Sequence, residues 1–405
     1  MATVELGQSG ISRVVSLRIK NYRALRDLEL KNLAPFSVLL GPNGSGKSTV
    51  FDVFAFLSEC FSVGLRDAWE KRGRFKELRS RGAEGPIVFE LKYQDRPQTE
   101  TTQRTITYHL AIDEARQRPF VSEEWLQWRR GNRGRPFRFL HFRNGSGMVI
   151  TGEVPDIDKE ADRMEERLDS PEMLAVSTLG QLARHPRVAA LRRFVAGWYL
   201  SYISAENTRQ LQDAGAQERL SATGSNLPNV VQHLKERHPQ RLEKILTMLS
   251  RRVPRLERVD AEIMADGRLL LQIKDAPFDR PVPARFASDG TLKMLAYLTL
   301  LYDPAKPPLI GIEEPENHLH PRLLPGLAEE CRAASGQAQV LVTTHSPAFV
   351  NGLRPNELWV LRRNRDGYTE ARLAVHIQGV ADFVAEGAQL GDLWMEGHLE
   401  LSDPR

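Results

Sequence analysis

Gly41-Pro42-Asn43-Gly44-Ser45-Gly46-Lys47-Ser48-Thr49 is the stretch on which the fold turns. An apolar run, Phe36-Ser37-Val38-Leu39-Leu40, stops abruptly before it. The residues after it, Val50-Phe51-Asp52-Val53-Phe54-Ala55-Phe56-Leu57, read as a mostly buried helix. Strand, glycine loop and helix, in that order, are the context in which the pattern G-x-x-x-x-G-K-[ST] binds phosphate. The glycines accept backbone angles that turn successive N–H groups inward, and they keep side chains out of the way. The following helix aims its N-terminal amides and dipole at the anion. Lys47 reaches the β- and γ-phosphates and the Ser48 hydroxyl ligates Mg2+, which makes ATP with Mg2+ the expected ligand. A purely structural glycine turn is the competing reading, and the strand-then-helix context opposes it.

A second site lies in Leu309-Ile310-Gly311-Ile312-Glu313-Glu314-Pro315, an apolar strand ending in two carboxylates. Glu313 is placed to hold the Mg2+ shell through water, and Glu314 to orient or deprotonate the attacking water. Alone, two acids after a strand are a common solvated strand end; beside the phosphate loop they gain weight. Val340-Leu341-Val342-Thr343-Thr344 reads as a buried strand that delivers His345-Ser346-Pro347. A histidine at the carboxyl end of a parallel strand sits where ligands bind in such sheets, although Ser346 also suits a plain helix cap. Phe286-Ala287-Ser288-Asp289-Gly290-Thr291 precedes an apolar helix, Leu292–Leu301. Ser288 and Gly290 offer a hydroxyl and amides to a phosphate at another helix N-terminus; in isolation the segment is an N-cap.

Working outward, the chain has 405 residues, 41% hydrophobic and 27% charged, with a net charge of +4 and two cysteines, Cys60 and Cys331. That composition excludes a disulfide-stapled or collagen-like chain and allows two or three domains. No stretch is long and apolar enough for a membrane-spanning helix, and the first residues lack a secretory pattern, so a cytoplasmic protein is expected. There are 12 lysines and 44 arginines. Arginine suits bidentate phosphate contacts, but a GC-rich coding sequence produces the same bias.

Residues 87–152 alternate in short runs and predict antiparallel sheet. Within them Arg129-Arg130-Gly131-Asn132-Arg133-Gly134-Arg135 is either an exposed hairpin tip or a nucleic-acid contact. From Asp156 to Arg258 the pattern is helical and charged; Asp156 and Asp158 fit a metal pair or, more simply, a helix N-terminus. The predicted fold class is α/β, an antiparallel N-terminal sheet plus a mostly parallel core sheet with a helical insertion. The expected divisions are residues 1–152, 153–258 and 259–405.

The order of Gly41–Thr49, Ser288-Asp289-Gly290, Ile312-Glu313-Glu314-Pro315-Glu316-Asn317-His318-Leu319-His320-Pro321 and Thr343-Thr344-His345-Ser346-Pro347 resembles ABC-type ATPases. More narrowly, it is similar to AAA-family ATPases of the OLD, RecF and SMC groups, as is Ile19-Lys20-Asn21-Tyr22-Arg23. The resemblance covers roughly residues 12–95 and 260–405. It implies that Lys47 and Ser48 are the loop lysine and magnesium serine, Glu313 the acidic strand-end residue and Glu314 the catalytic glutamate. It further implies that Ser288 and Gly290 belong to a signature motif and that His345 is the switch histidine. ATP would then lie between two heads, a homodimer in the ATP state, with one signature facing the other's loop.

The signature departs from a transporter's Ser-Gly-Gly-Gln, which argues against a transport subunit. Between Arg66 and Tyr93 there is no glutamine to serve as a Q-loop, and Gln94 and Gln98 follow only in a turn-like stretch. OLD proteins carry a nuclease domain of the TOPRIM type, for which the residues after Pro347 are too few; such an activity would reside on a separate effector. The resemblance suggests DNA-linked work such as phage defence or repair, with no membrane partner. Two other classes stay open: a non-hydrolysing nucleotide switch and, third, an energy-coupling subunit for a transporter.

Overall fold

The computed structural model describes residues 12–95, 104–128, 136–152, 162–215 and 217–399. The basic run Arg129–Arg135, the acids Asp156 and Asp158, and Gln98 lie outside the described residues. Two larger sheets and one small one organise the chain.

The central sheet has six strands in the order Tyr199–Ser201, Leu309–Glu313, Gln339–Thr344, Phe36–Leu40, Leu358–Arg363 and Thr369–Leu373. The first five are parallel, and Thr369–Leu373 closes the edge antiparallel. Burial on both faces explains why its strands read as continuous apolar runs rather than alternating ones. Val38, Leu40, Ile310, Ile312, Val340, Val342 and Val360 join one core, while Leu39, Leu309, Leu341 and Leu361 join the other. Period-two geometry thus divides each strand between two cores.

One core is shared with an eight-stranded antiparallel sheet. Its order is Leu25–Lys31, Arg13–Tyr22, Ile87–Asp95, Arg104–Ala115, Arg118–Trp128, Phe137–Arg143, Ser146–Ile150 and Arg163–Arg167. Strict alternation of buried and half-buried residues along Ile87–Asp95 marks the inner face. The helix Lys47–Ser62 fills the space between this sheet and the central one, which is why it is apolar almost all round. Phe56 meets Tyr22 and Phe89 at ring-centroid distances of 5.7 and 5.6 Å, and Phe54 meets Trp198 at 5.3 Å. Each such fully buried ring contributes roughly 1.5–3 kcal/mol.

The second core joins the helix Asp289–Leu301 to helices Leu227–Arg237 and Pro239–Ser250 and to a small sheet. That sheet contains Gln212–Asp213, Leu256–Ile263, Arg268–Asp275 and Val282–Pro283.

The middle of the chain departs from the helical reading of 153–258. Arg163–Arg167 extends the eight-stranded sheet, and Tyr199–Ser201 pairs in parallel with Leu309–Glu313. Neither strand is long enough to show a period of two. The helices of this span also divide: Pro186–Ala196 packs in the first core, the pair 227–250 in the second. At the N-terminus Arg13–Tyr22 and Leu25–Lys31 form a hairpin whose tight turn sets Arg23 at φ 50°.

Candidate nucleotide site

Three parallel strands end side by side, and each delivers part of the site. Leu40 runs into the glycine loop, Glu313 closes its own strand, and Thr344 hands the chain to His345. Ligands bind at the carboxyl edge of such sheets. Gly44 and Gly46 have φ values of 79° and 104°, the left-handed region the loop requires. A Cβ on Gly46 would lie 2.1 Å from Thr369 Oγ1, so the tight packing of the edge strand also demands glycine. Thr369 Oγ1 donates to Ser45 O at 2.9 Å, and Arg363 Nε to Gly44 O at 2.6 Å.

Lys47 is buried, and its Nζ donates to Gly41 O and Pro42 O at 2.8 and 3.1 Å, spanning the hollow of its own loop. Burial lowers its pKa, while the charges of Glu314, Glu316 and Glu313 oppose that shift. Burial, with neighbouring Glu314 and Asp52, pushes the Glu313 carboxyl up, and the nearby Ser48 hydroxyl opposes that shift. This hydroxyl and carboxylate, hard oxygen donors in a pair, fit a site for Mg2+ completed by phosphate and water. The Ser45 hydroxyl is buried without a partner, an unused polar group inside the loop. Pro42 and Asn43 form the rim, and Thr49 stands in the first turn of the helix.

Glu314 adopts φ 42°, unusual for a residue with a Cβ. Its N–H donates to Thr343 O at 3.0 Å and approaches Thr343 Oγ1 at 3.3 Å, which pins the strained peptide to the neighbouring strand. Asn317 Nδ2 donates to Glu314 Oε2 at 3.3 Å. His345 Nδ1 stands 3.5 Å from Glu314 Oε1 and 3.1 Å from Glu316 Oε1. Glu316 Oε1 also accepts from the His345 N–H at 2.7 Å and from Thr344 Oγ1 at 2.8 Å. Glu316 Oε1 therefore fixes the histidine's backbone and also lies nearer its ring nitrogen than Glu314 Oε1 does.

Ser288 caps the helix Asp289–Leu301, its Oγ accepting from Thr291 N. A Cβ on Gly290 would lie 3.1 Å from His318 O, so this helix end sits against the loop that follows Glu314. Asp289 pairs with Arg209 and lies 3.4 Å from His318 Nδ1.

Lys293, buried one turn further on, donates to Asn317 O at 2.7 Å, and burial lowers its pKa to about 8. It was not singled out in the sequence, although a lysine inside Leu292-Lys293-Met294-Leu295 is a charge interrupting an apolar run. Arg363 and Thr369 carried no such signal, since nothing local links them to a loop more than 300 residues earlier. Gln94 lies in the strand Ile87–Asp95, so no lid glutamine emerges there.

A glycine loop on the second-to-last parallel strand, two strand-end acids and a strand-end histidine define a P-loop nucleotide-binding protein. A family model described as "AAA domain, putative AbiEii toxin, Type IV TA system" matches residues 153–351, and a second, "AAA domain", matches residues 16–67. Comparison with curated proteins gave no match.

Among solved structures, an SMC head bound to the C-terminal winged-helix domain of ScpA is 13% identical, with a TM-score of 0.56. The match covers 89% of this chain and 97% of that one. An SMC head from Pyrococcus furiosus, with an extended coiled coil and bound to the C-terminal domain of ScpA, is 12% identical, covering 93% and 99% at a TM-score of 0.49. The SMC head domain from Thermotoga maritima is 13% identical, covering 89% and 98% at a TM-score of 0.43. The chain shares the fold of an SMC head, and two AAA-domain models match parts of it. None of its described helices is long and apolar enough to cross a membrane.

Proposed function

We propose that the chain binds ATP with Mg2+ in Gly41–Thr49 and hydrolyses it to ADP and phosphate. The observation that carries this is the convergence of Lys47, the Ser48–Glu313 pair, Glu314 and His345 at one edge of the central sheet. Lys47 and the loop amides hold the β- and γ-phosphates. Ser48 and Glu313 would hold Mg2+, which neutralises phosphate charge as the bond to the leaving group breaks. Glu314 accepts the proton of the attacking water or orients it, and His345, anchored by Glu316, steadies that water and the γ-phosphate.

The reading extends to assembly. Ser288 and Gly290 stand at the N-terminus of a 13-residue helix and would complete the site of a second copy, giving a homodimer in the ATP state. Coupling to a separate effector protein, or to DNA-linked work in phage defence or repair, follows from the resemblance to OLD-, RecF- and SMC-type proteins. SMC heads crystallised with ScpA support the idea of a protein partner.

Steady-state hydrolysis of ATP by the wild type and Glu314→Gln tests the proposal. Glutamine keeps shape and hydrogen bonding but accepts no proton, so turnover should fall on the order of 10²-fold while ATP still binds. ATP binding with negligible wild-type turnover would replace the hydrolase by a nucleotide switch. Unchanged turnover in the variant would move the base away from Glu314.

A further inference from the structure

The end of the central sheet opposite the catalytic carboxylates carries an unbalanced cluster of charge. The helix Asp289–Leu301 ends there, and the turn Tyr302-Asp303-Pro304-Ala305-Lys306 leads into Leu309–Glu313. Three cations and a histidine surround this turn, and a fourth cation, Lys306, closes it. Arg241 Nη1 donates to Tyr302 O at 3.1 Å, and Arg219 Nη2 to Ala305 O at 3.0 Å. Lys244 Nζ lies 5.0 Å from the centroid of the Tyr302 ring. Lys306 is half-buried and near enough to Arg241 and Lys244 to feel their charge, and His233 is similarly coupled to Asp303.

Among the described residues, none of these cations forms an ion pair. Asp303 is the acid that faces them: it is buried, feels the charges of Arg219 and Arg241, and spends Oδ1 on the Ala305 N–H at 2.7 Å. Glu243, on the same helix as Arg241 and Lys244, lines a separate groove against Leu256–Ile263.

Two features of this cluster disfavour the ligand-free protein. Like charges crowd one short turn, which destabilises by mutual repulsion. Arg241 and Lys244 also sit in the first two turns of the 12-residue helix Pro239–Ser250, whose first turn holds no acid, at the positive end of its dipole. A bound anion relieves both. Arg219 and Arg241 each use one N–H on a backbone carbonyl, which orients the guanidinium and leaves further N–H groups for a ligand. Arginine forks and lysine point charges together match phosphate oxygens. The cations converge on five residues rather than following a track, which favours a compact anion over a long polyanion.

We propose that the Tyr302–Lys306 turn, with Arg219, Arg241, Lys244 and Lys306 around it, binds a compact phosphate-bearing anion of several negative charges. This site is separate from the nucleotide site and needs no hydrolysis to act.

Calorimetric titration of the full chain with inorganic tripolyphosphate tests it. That probe also fits the glycine loop, so the titration is made in Lys47→Ala, with and without Arg241→Gln and Lys306→Gln together. Saturable binding should survive Lys47→Ala and weaken about tenfold or more in the triple variant. Failure to bind in Lys47→Ala, or binding indifferent to the added pair, overturns the proposal. A DNA duplex that binds more tightly than tripolyphosphate, and loses binding in the same triple variant, also overturns it, in favour of a nucleic-acid surface. An error in the phosphate-loop assignment shows differently: Lys47→Ala would leave the wild-type isotherm intact while the added pair still weakened it. In the absence of anion, Lys306→Gln should raise the melting temperature by relieving repulsion. A lower melting temperature together with unchanged tripolyphosphate affinity would make Lys306 a packing residue.

Discussion

Lys47 crosses its own loop to the carbonyls of Gly41 and Pro42. A buried ammonium of this kind is costly without compensation, and two carbonyls and three nearby carboxylates compensate it. Incoming phosphate would exchange the carbonyl contacts for stronger charge-assisted ones. Lys47→Ala should therefore cost ATP affinity on the order of 100-fold or more with the fold intact. Equilibrium binding of a fluorescent ATP analogue, beside an unchanged circular dichroism spectrum, checks this. Glu316 shows what a motif leaves unsaid: its carboxylate could serve as a second base, yet Oε1 is occupied by Thr344 and His345. Those contacts suit it to hold the histidine, an arrangement visible only when two strands, far apart in sequence, lie together.

Between elements, one close fit is at Gly311. A Cβ there would stand 2.7 Å from Leu200 Cδ2 and 2.8 Å from Phe51 Cε2, where the strand before Glu313 meets the helix after the glycine loop. Gly311→Ala must push that helix or its own strand, so it should destabilise by about 1–3 kcal/mol and weaken nucleotide binding as well. Chemical denaturation and the same binding assay measure both effects.

A second junction rests on Glu124, fully buried in Arg118–Trp128. Its carboxyl accepts from the N–H groups of Ala175 and Val176 at 2.6 and 3.0 Å and from Tyr108 Oη at 2.9 Å. Burial outweighs these bonds and raises its pKa from 4.5 to about 7. A folded-state value above the unfolded one gives stability that is complete below about pH 4.5 and lost as pH rises through about 7. The shift is worth on the order of 3 kcal/mol. Melting temperature should fall from pH 5 to 8.5, and Glu124→Gln should flatten that slope while lowering stability at pH 5, because the two backbone donors address different oxygens and an amide sets an NH2 against one of them. A slope unchanged in the variant would place the titration elsewhere.

Elements whose signal was local were legible in the sequence: the glycine loop, the strands ending at Glu313 and Thr344, and the hairpins of residues 87–152. The short strand Tyr199–Ser201 was not, because three residues show no period and only the edge of Leu309–Glu313 makes them a strand. The contacts of Arg363, Thr369 and Lys293 with the site depend on strand order, which local patterning does not encode.

For the whole molecule, the proposed dimer has a direct test. Ser288→Arg places a long cation where a second copy's γ-phosphate would arrive, so it should block hydrolysis while each chain still binds ATP. Mixed with Lys47→Ala chains, half of the composite sites in a mixed dimer contain neither defect, and partial activity should return. Two inactive variants that stay inactive although mixed dimers form would count against independent shared sites.

The placement of the glycine loop also bears on how the protein is made. Gly41–Ser48 is synthesised well before the strands that flank its own, Gln339–Thr344 and Leu358–Arg363, and before Arg363 and Thr369, which tie its backbone. A ribosome must therefore add more than 300 residues after Lys47 before the nucleotide pocket has its walls, some tens of seconds at about 5–20 residues per second. Until then the apolar strand Phe36–Leu40 lacks at least one of its two neighbours, and nucleotide should not help the nascent chain fold. A chain ending before residue 358 should accordingly depend on chaperones and gain no protection from ATP, whereas the finished protein should resist proteolysis better with ATP than without.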